Sequence, residues 1–103
     1  DLILSEIIEN FRYLQLAENR ISTDSLKVFC ERADTTNLRH LDLSGNALGD
    51  AGAQILAESS GFESLTELKL VSCGIGLVGI RALAQSPFLN RLIRLDLSMN
   101  KLS

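Results

Sequence analysis

LRHLDLSGNAL, residues 38–48, carries leucine at its first, fourth, sixth and last positions and asparagine at its ninth. The same spacing recurs in FRYLQLAENRI (11–21), LTELKLVSCGI (65–75) and LIRLDLSMNKL (92–102), each row starting 27 residues after the one before. Phe11, Ile21 and Ile75 are apolar variants of the leucine positions, and Cys73 holds the place filled elsewhere by Asn19, Asn46 and Asn100. Four matches in constant phase mean that the chain is a stack of like units, each burying its apolar side against its neighbours.

The second half of each unit repeats as well. GDAGAQILAES (49–59) lies opposite GLVGIRALAQS (76–86), with STDSLKVFCER (22–32) as a more divergent member. Leu26, Phe29 and Cys30, then Ala53, Leu56 and Ala57, then Ile80, Leu83 and Ala84 follow the i, i+3, i+4 spacing of one apolar helix face. Pro87 is placed to end the third helix, because it cannot donate the next backbone hydrogen bond.

The rows fit L-x-x-L-x-L-x-x-N/C-x-L over nearly the whole chain and resemble the leucine-rich repeat. A helix-length segment within 27 residues resembles the ribonuclease-inhibitor type, and ALAQSPFLNRLIRLDLSMN (82–100) resembles bacterial repeat arrays. The resemblance implies an α/β fold: a right-handed solenoid forming a short horseshoe arc, with parallel strands on the concave face and helices on the convex face. Residues 1–103 would form a single domain with full repeats at 11–37, 38–64 and 65–91 and a partial repeat at 92–103. Residues 1–10 would be an N-terminal helix or the tail of a preceding repeat, with Leu2 aligned to Phe29 and Leu56, and Ile8 to Phe62 and Leu89. Leu41, Leu43, Leu68, Leu70, Leu95 and Leu97 would point into the core. Asn19, Asn46 and Asn100 would turn inward and bond the backbones of adjacent turns, while Cys73 would weaken that ladder locally.

What stays exposed on the strands is the candidate binding face. Adjacent strands are about 4.8 Å apart, so it reads in columns: Tyr13, His40, Glu67 and Arg94 in one, Gln15, Asp42, Lys69 and Asp96 in the next. Asp42 to Lys69 to Asp96, and Glu67 to Arg94, alternate in charge as a self-satisfied sheet surface would. Against that stands recognition of a partner: the resemblance implies binding through the concave face, Tyr and Arg are frequent interface anchors, and Val71 and Met99 add apolar contact. The expected function is therefore a non-catalytic protein–protein interaction scaffold with an unidentified protein partner. The alternative is a structural spacer, or a self-assembling segment of a larger protein that pairs through the edge strand Leu92–Leu97, where no following repeat covers Leu92, Leu95 and Leu97.

Composition narrows the remaining classes. Of 103 residues, 46% are hydrophobic, enough for a packed interior. The net charge of −3 and scattered Lys and Arg give no basic field for nucleic-acid phosphates. No apolar run reaches the length of a membrane-spanning helix and DLILSEIIEN lacks a basic signal-peptide start, so a soluble chain is expected. Two cysteines, Cys30 and Cys73, make a poor disulfide framework, which favours a reducing, cytoplasmic setting with both thiols as buried structural residues. The absence of an initial Met suggests a piece of something longer.

One motif points elsewhere. LKLVSCGIGLVGIRAL (68–83) contains Gly74-x-Gly76-x-x-Gly79, with Asp96 lying 22 residues beyond Gly74, as in a dinucleotide-binding turn. Yet Gly76 aligns with Gly49, Gly79 with Gly52 and Ser25, and Asp96 with Asp42, one or two repeats away. Close packing explains these glycines without a phosphate, and no cofactor is expected. His40, near Asp42 and Glu67, is the only histidine. A metal ion or a general base would need ligands that converge rather than project side by side from an open sheet. Ser44 and Ser98 lack the strand-to-helix elbow that exposes a nucleophile, and no enzyme is expected.

Overall fold

The computed structural model describes residues 12–101. Four three-residue strands, β1 (Tyr13–Gln15), β2 (His40–Asp42), β3 (Glu67–Lys69) and β4 (Arg94–Asp96), form one parallel sheet in chain order. Parallel neighbours cannot be joined by a hairpin, so each strand returns through a crossover: α1 (Thr23–Arg32), α2 (Gly49–Ala57) with a 3-10 turn at Ser60–Phe62, and α3 (Leu77–Ala84). Residues in equivalent rows of the sequence face one another across the sheet: Leu14, Leu41, Leu68 and Leu95 in the central register, Tyr13, His40, Glu67 and Arg94 before it, Gln15, Asp42, Lys69 and Asp96 after it.

Strand alternation sends Leu41 and Leu68 inward and their flanking residues outward. Leu41, Leu43, Leu68 and Leu70 join Leu26 of α1, Ala53, Leu56 and Ala57 of α2 and Leu83 of α3 in one buried core, closed at one end by Phe62 and Leu89. The helices pack in sequence, α1 on α2 and α2 on α3. Two expectations fail at the far side. Ala84 is exposed, because among the described residues no helix packs on the far flank of α3. Leu95 is 39% exposed, because β4 is the edge strand among the described residues, whereas Leu97, partly buried, still packs against the core as expected. Cys30, expected to be buried, is half-buried between α1 and the loop after α2. The expected capping role of residues 1–10, with Leu2 and Ile8, lies outside the described residues.

The asparagine ladder forms, and its direction is specific. Asn46, with no exposed surface, reaches back one turn: its Oδ1 accepts from the backbone N–H of Asn19 (3.1 Å) and Ile21 (2.8 Å), while Nδ2 donates to the carbonyls of Leu16 (3.0 Å) and Leu43 (2.9 Å). Asn100 repeats this on the turn of Cys73, accepting from Cys73 and Ile75 and donating to Leu70 and Leu97. Asn19 does not turn inward. It is exposed and donates to Ala17 in its own turn.

Cys73 stands in the ladder with a weaker group. Its buried thiol contacts the Leu43 carbonyl at 3.3 Å, and Leu48 N–H, whose counterparts Ile21 and Ile75 bond an asparagine side chain, turns to the carbonyl of Asn46 (2.8 Å). Burial pushes the thiol above its ordinary pKa, so it stays a neutral, weak donor and acceptor. Cys73→Asn is expected to raise stability by about 1 kcal/mol, since a carboxamide supplies the missing acceptor. Urea unfolding would show it as a higher midpoint with an unchanged slope, and a lower midpoint would mean that the cavity cannot hold the larger group.

Candidate functional site

Short strands in tight register put the variable side chains of successive turns side by side. Tyr13, half exposed, lies with its ring centroid 5.6 Å from that of His40 at a 35° tilt. His40 Nδ1 meets Glu67 Oε2 at 2.7 Å, bridging β2 to β3. Beside this pair a recess of about 210 Å³ is lined by His40, Thr66, Glu67, Ile93 and Arg94. A smaller hollow lies among Tyr13, His40, Leu41, Asp42, Glu67 and Lys69. The first column thus forms one continuous row.

The second column is tied to its own strands. Gln15 Nε2 donates to Asp42 Oδ2 (3.1 Å), and Asp42 Oδ1 accepts from Ser44 N–H (3.0 Å). Asp96 accepts from both the hydroxyl (2.6 Å) and the N–H (3.0 Å) of Ser98, which, with the nearby Lys69 ammonium, hold its carboxyl below the usual range. The alternating charges do not close into the expected bridges. Among the described residues His40–Glu67 is the one side-chain contact between a basic and an acidic group, a charge pair only with His40 protonated, and Asp42–Lys69, Lys69–Asp96 and Glu67–Arg94 are not paired. Local donors hold two of these carboxylates and His40 holds the third, so the long Lys and Arg side chains stay free rather than giving up rotamer entropy. Val71 is half-buried with its N–H on Ser44 Oγ, and Met99 projects from the turn after β4, 81% exposed at φ 62°.

The glycine motif has a different explanation at each position. Gly74 sits at φ +73°, the left-handed conformation that Arg20 adopts at the equivalent point two turns earlier. Gly76 and Gly79 donate their N–H groups, at 2.7 and 3.0 Å, to Oδ1 of Asp50, the second residue of α2. These are the orphan donors at the start of α3, where a pyrophosphate would sit in a dinucleotide fold. A carboxylate already occupies them, and a phosphate there would meet like charge. A side chain on Gly79 would place its Cβ 2.7 Å from Asp50 Oδ1, 2.7 Å from Ile75 Cγ2 and 2.9 Å from Ala53 Cβ. Gly79→Ala is therefore expected to destabilise by about 2 kcal/mol through overpacking. A thermal melt within a degree of the parent would show that α2 and α3 part freely.

Asp50 was not legible as a partner of α3 from periodicity, because Thr23 and Leu77 hold its place in the other turns. The available signal was a missing one: α1 has its own cap in Ser22, whose Oγ accepts from Ser25 N–H, whereas the start of α3 offers no Ser, Thr, Asp or Asn. Such an end needs an acceptor from elsewhere. Arg12, Arg39 and Ile93, on the strand-entry side of the same face, were also missed.

Elsewhere the chemistry is sparse. A recess of about 390 Å³ lies away from the strand face, lined by Lys27, Cys30, Glu31, Ile55, Glu58, Ser59 and Ser60. Burial raises the Cys30 thiol, and Ser59 spends its hydroxyl proton on Ile55 O (2.6 Å), so neither is poised as a nucleophile. Ser44 accepts from Val71 and Ser98 donates to Asp96. Among the described residues no three His, Cys, Asp or Glu side chains converge to hold a metal ion, and no helix is long and apolar enough to cross a membrane.

A parallel sheet presenting one ordered row of side chains over a helix-backed core defines an α/β repeat protein. Residues 35–57 and 63–84 match the family model of the Leucine Rich repeat, which supports a leucine-rich repeat protein. No curated protein matches the chain. Leucine-rich repeat domains generally mediate protein–protein interaction and are typically non-catalytic.

Proposed function

We propose that this chain is a non-catalytic scaffold that binds a protein partner through its strand face, the concave side of a right-handed, ribonuclease-inhibitor-like solenoid built from 27-residue units. The units run 11–37, 38–64 and 65–91, with a partial one at 92–103, in a single cytoplasmic domain of bacterial type. The observation that carries the reading is the in-register row Tyr13, His40, Glu67 and Arg94. Rigid strands hold four chemically different side chains at fixed spacing, so little ordering entropy remains to be lost on binding. Gln15, Asp42, Lys69 and Asp96 form its second column, and Val71 and Met99 extend it with apolar contact.

Tyr13→Ala combined with Arg94→Glu tests the reading, because both residues are exposed and neither supports the core. The double variant is expected to melt with the parent and to lose the partners that the parent chain captures in affinity purification. Retention of every partner would leave the spacer reading in its place. A second reading, self-association through Leu92–Leu97, is favoured by Ile93 at 83% and Leu95 at 39% exposure on an edge strand. Sedimentation velocity over a wide dilution series distinguishes it: a dimer that dissociates on dilution supports edge pairing, and a monomer throughout removes it.

A further inference from the structure

The strand face is unevenly satisfied. Its three carboxylates each accept a hydrogen bond from the protein: Glu67 from His40, Asp42 from Gln15 and Ser44, Asp96 from Ser98. Its arginines do not donate any. Arg12, Arg39 and Arg94 are exposed, and among the described residues none of them has an ion pair or a side-chain hydrogen bond. Each guanidinium carries five N–H donors in a planar fork suited to a carboxylate.

The two signs are also separated along the strands. Arg12 and Arg39 immediately precede Tyr13 and His40, and the Arg12 carbonyl accepts from the N–H groups of both Arg39 and His40, which places these two arginines on successive turns at the strand-entry end. Thr66 and Ile93, which hold the same position in the next two turns, line the recess with His40, Glu67 and Arg94. By repeat position Arg12 and Arg39 stand in line with Thr66 and Ile93 on the entry side of the face, with Arg94 lining the recess, and among the described residues none of the three arginines is paired. Asp42 and Asp96 lie at the other end of their strands, with Lys69 between them in register and acting on Asp96.

We propose that these three arginines take the carboxylates of an acidic peptide segment laid across the strands, with Tyr13 and Ile93 covering the apolar side chains between them. The proposal rests on the strand-face reading above and adds the chemistry of the partner. A polyanion without apolar groups fits less well, because Ile93 and Tyr13 would gain nothing from it.

The probe is a display library of random dodecapeptides panned against the whole chain. Enriched sequences are expected to be rich in Asp and Glu interspersed with apolar residues, and their binding to fall with added salt, because the arginines are exposed. Arg39→Glu with Arg94→Glu is expected to weaken the selected peptides about tenfold, while Lys27→Glu, on the helix side, leaves them unchanged. Far-ultraviolet circular dichroism checks that each variant is folded. Enriched peptides that are neutral or basic, yet lost on Tyr13→Ala, would overturn the acidic partner and leave the strand-face reading standing. Peptides insensitive to all strand-face variants would overturn both. Absence of enrichment, or tighter binding of a single-stranded oligonucleotide than of any selected peptide, would overturn the acidic-peptide proposal.

Discussion

Asn46→Ala is expected to destabilise the chain by about 4 kcal/mol, a large fraction of the stability of a domain this size. The side chain is fully buried and completes four backbone hydrogen bonds in two turns, to Asn19, Ile21, Leu16 and Leu43. Alanine would leave two N–H donors and the Leu16 carbonyl facing a space too apolar and too tight to solvate them well, and the Leu43 carbonyl with the weak Cys73 thiol as its remaining donor, and each stranded group costs about 1 kcal/mol or more. The melting temperature should fall by roughly 20 °C. Asn19→Ala is the control, since that side chain is exposed and, among the described residues, bonds only Ala17 of its own turn, and it should change stability by no more than about 0.5 kcal/mol. Equal effects from the two asparagines would mean that the ladder contributes nothing beyond local turn structure. The pair thus separates the inter-turn bond from the residue type.

Leu68→Ala should cost about 3 to 5 kcal/mol, the second large effect. Leu68 has no exposed surface and lies at the centre of β3, with Leu41 and Leu95 as its register partners and the helix layer beneath. Truncation removes three heavy atoms' worth of packing where strands on both sides resist collapse, so most of the cavity persists. The same change at Leu95 should cost only about 1 kcal/mol, because that side chain still meets solvent at the sheet edge. Urea unfolding of both variants measures the ratio. Equal losses would mean that the edge leucine is covered in solution, by a second copy or by chain beyond β4, and would agree with a concentration-dependent dimer in the sedimentation experiment.

The fold was legible because a repeat states its rule four times. One LxxLxL row could belong to many folds. Four rows in constant phase require stacked parallel strands, and the observed register pairs the residues that the phase predicts, from Tyr13 and His40 through to Arg94. Helix positions followed from the i, i+3, i+4 spacing, and the observed helices fall inside the expected segments. What periodicity described poorly was whatever differs between turns. Ala84, Leu95 and Asn19 hold repeat positions that are buried at Ala57, at Leu41 and Leu68, and at Asn46 and Cys73, yet each is exposed, because burial belongs to the neighbour that covers a residue and not to the residue itself.

Sequence alone determined the spacing of the strands, the side of each strand that is buried, the helix layer and the candidate columns. All are periodic properties of a backbone whose side chains alternate in strands and return every 3.6 residues in helices. Only the tertiary structure decided the pairings. It sent Glu67 to His40 instead of Arg94, gave the start of α3 to Asp50 of the preceding turn, and, among the described residues, left Arg12, Arg39 and Arg94 without acceptors. The physical reason is that column order limits which side chains are neighbours but not which of several nearby donors an acceptor takes. That choice rests on distances of a few tenths of an ångström and on local N–H groups, neither of which a one-dimensional pattern contains.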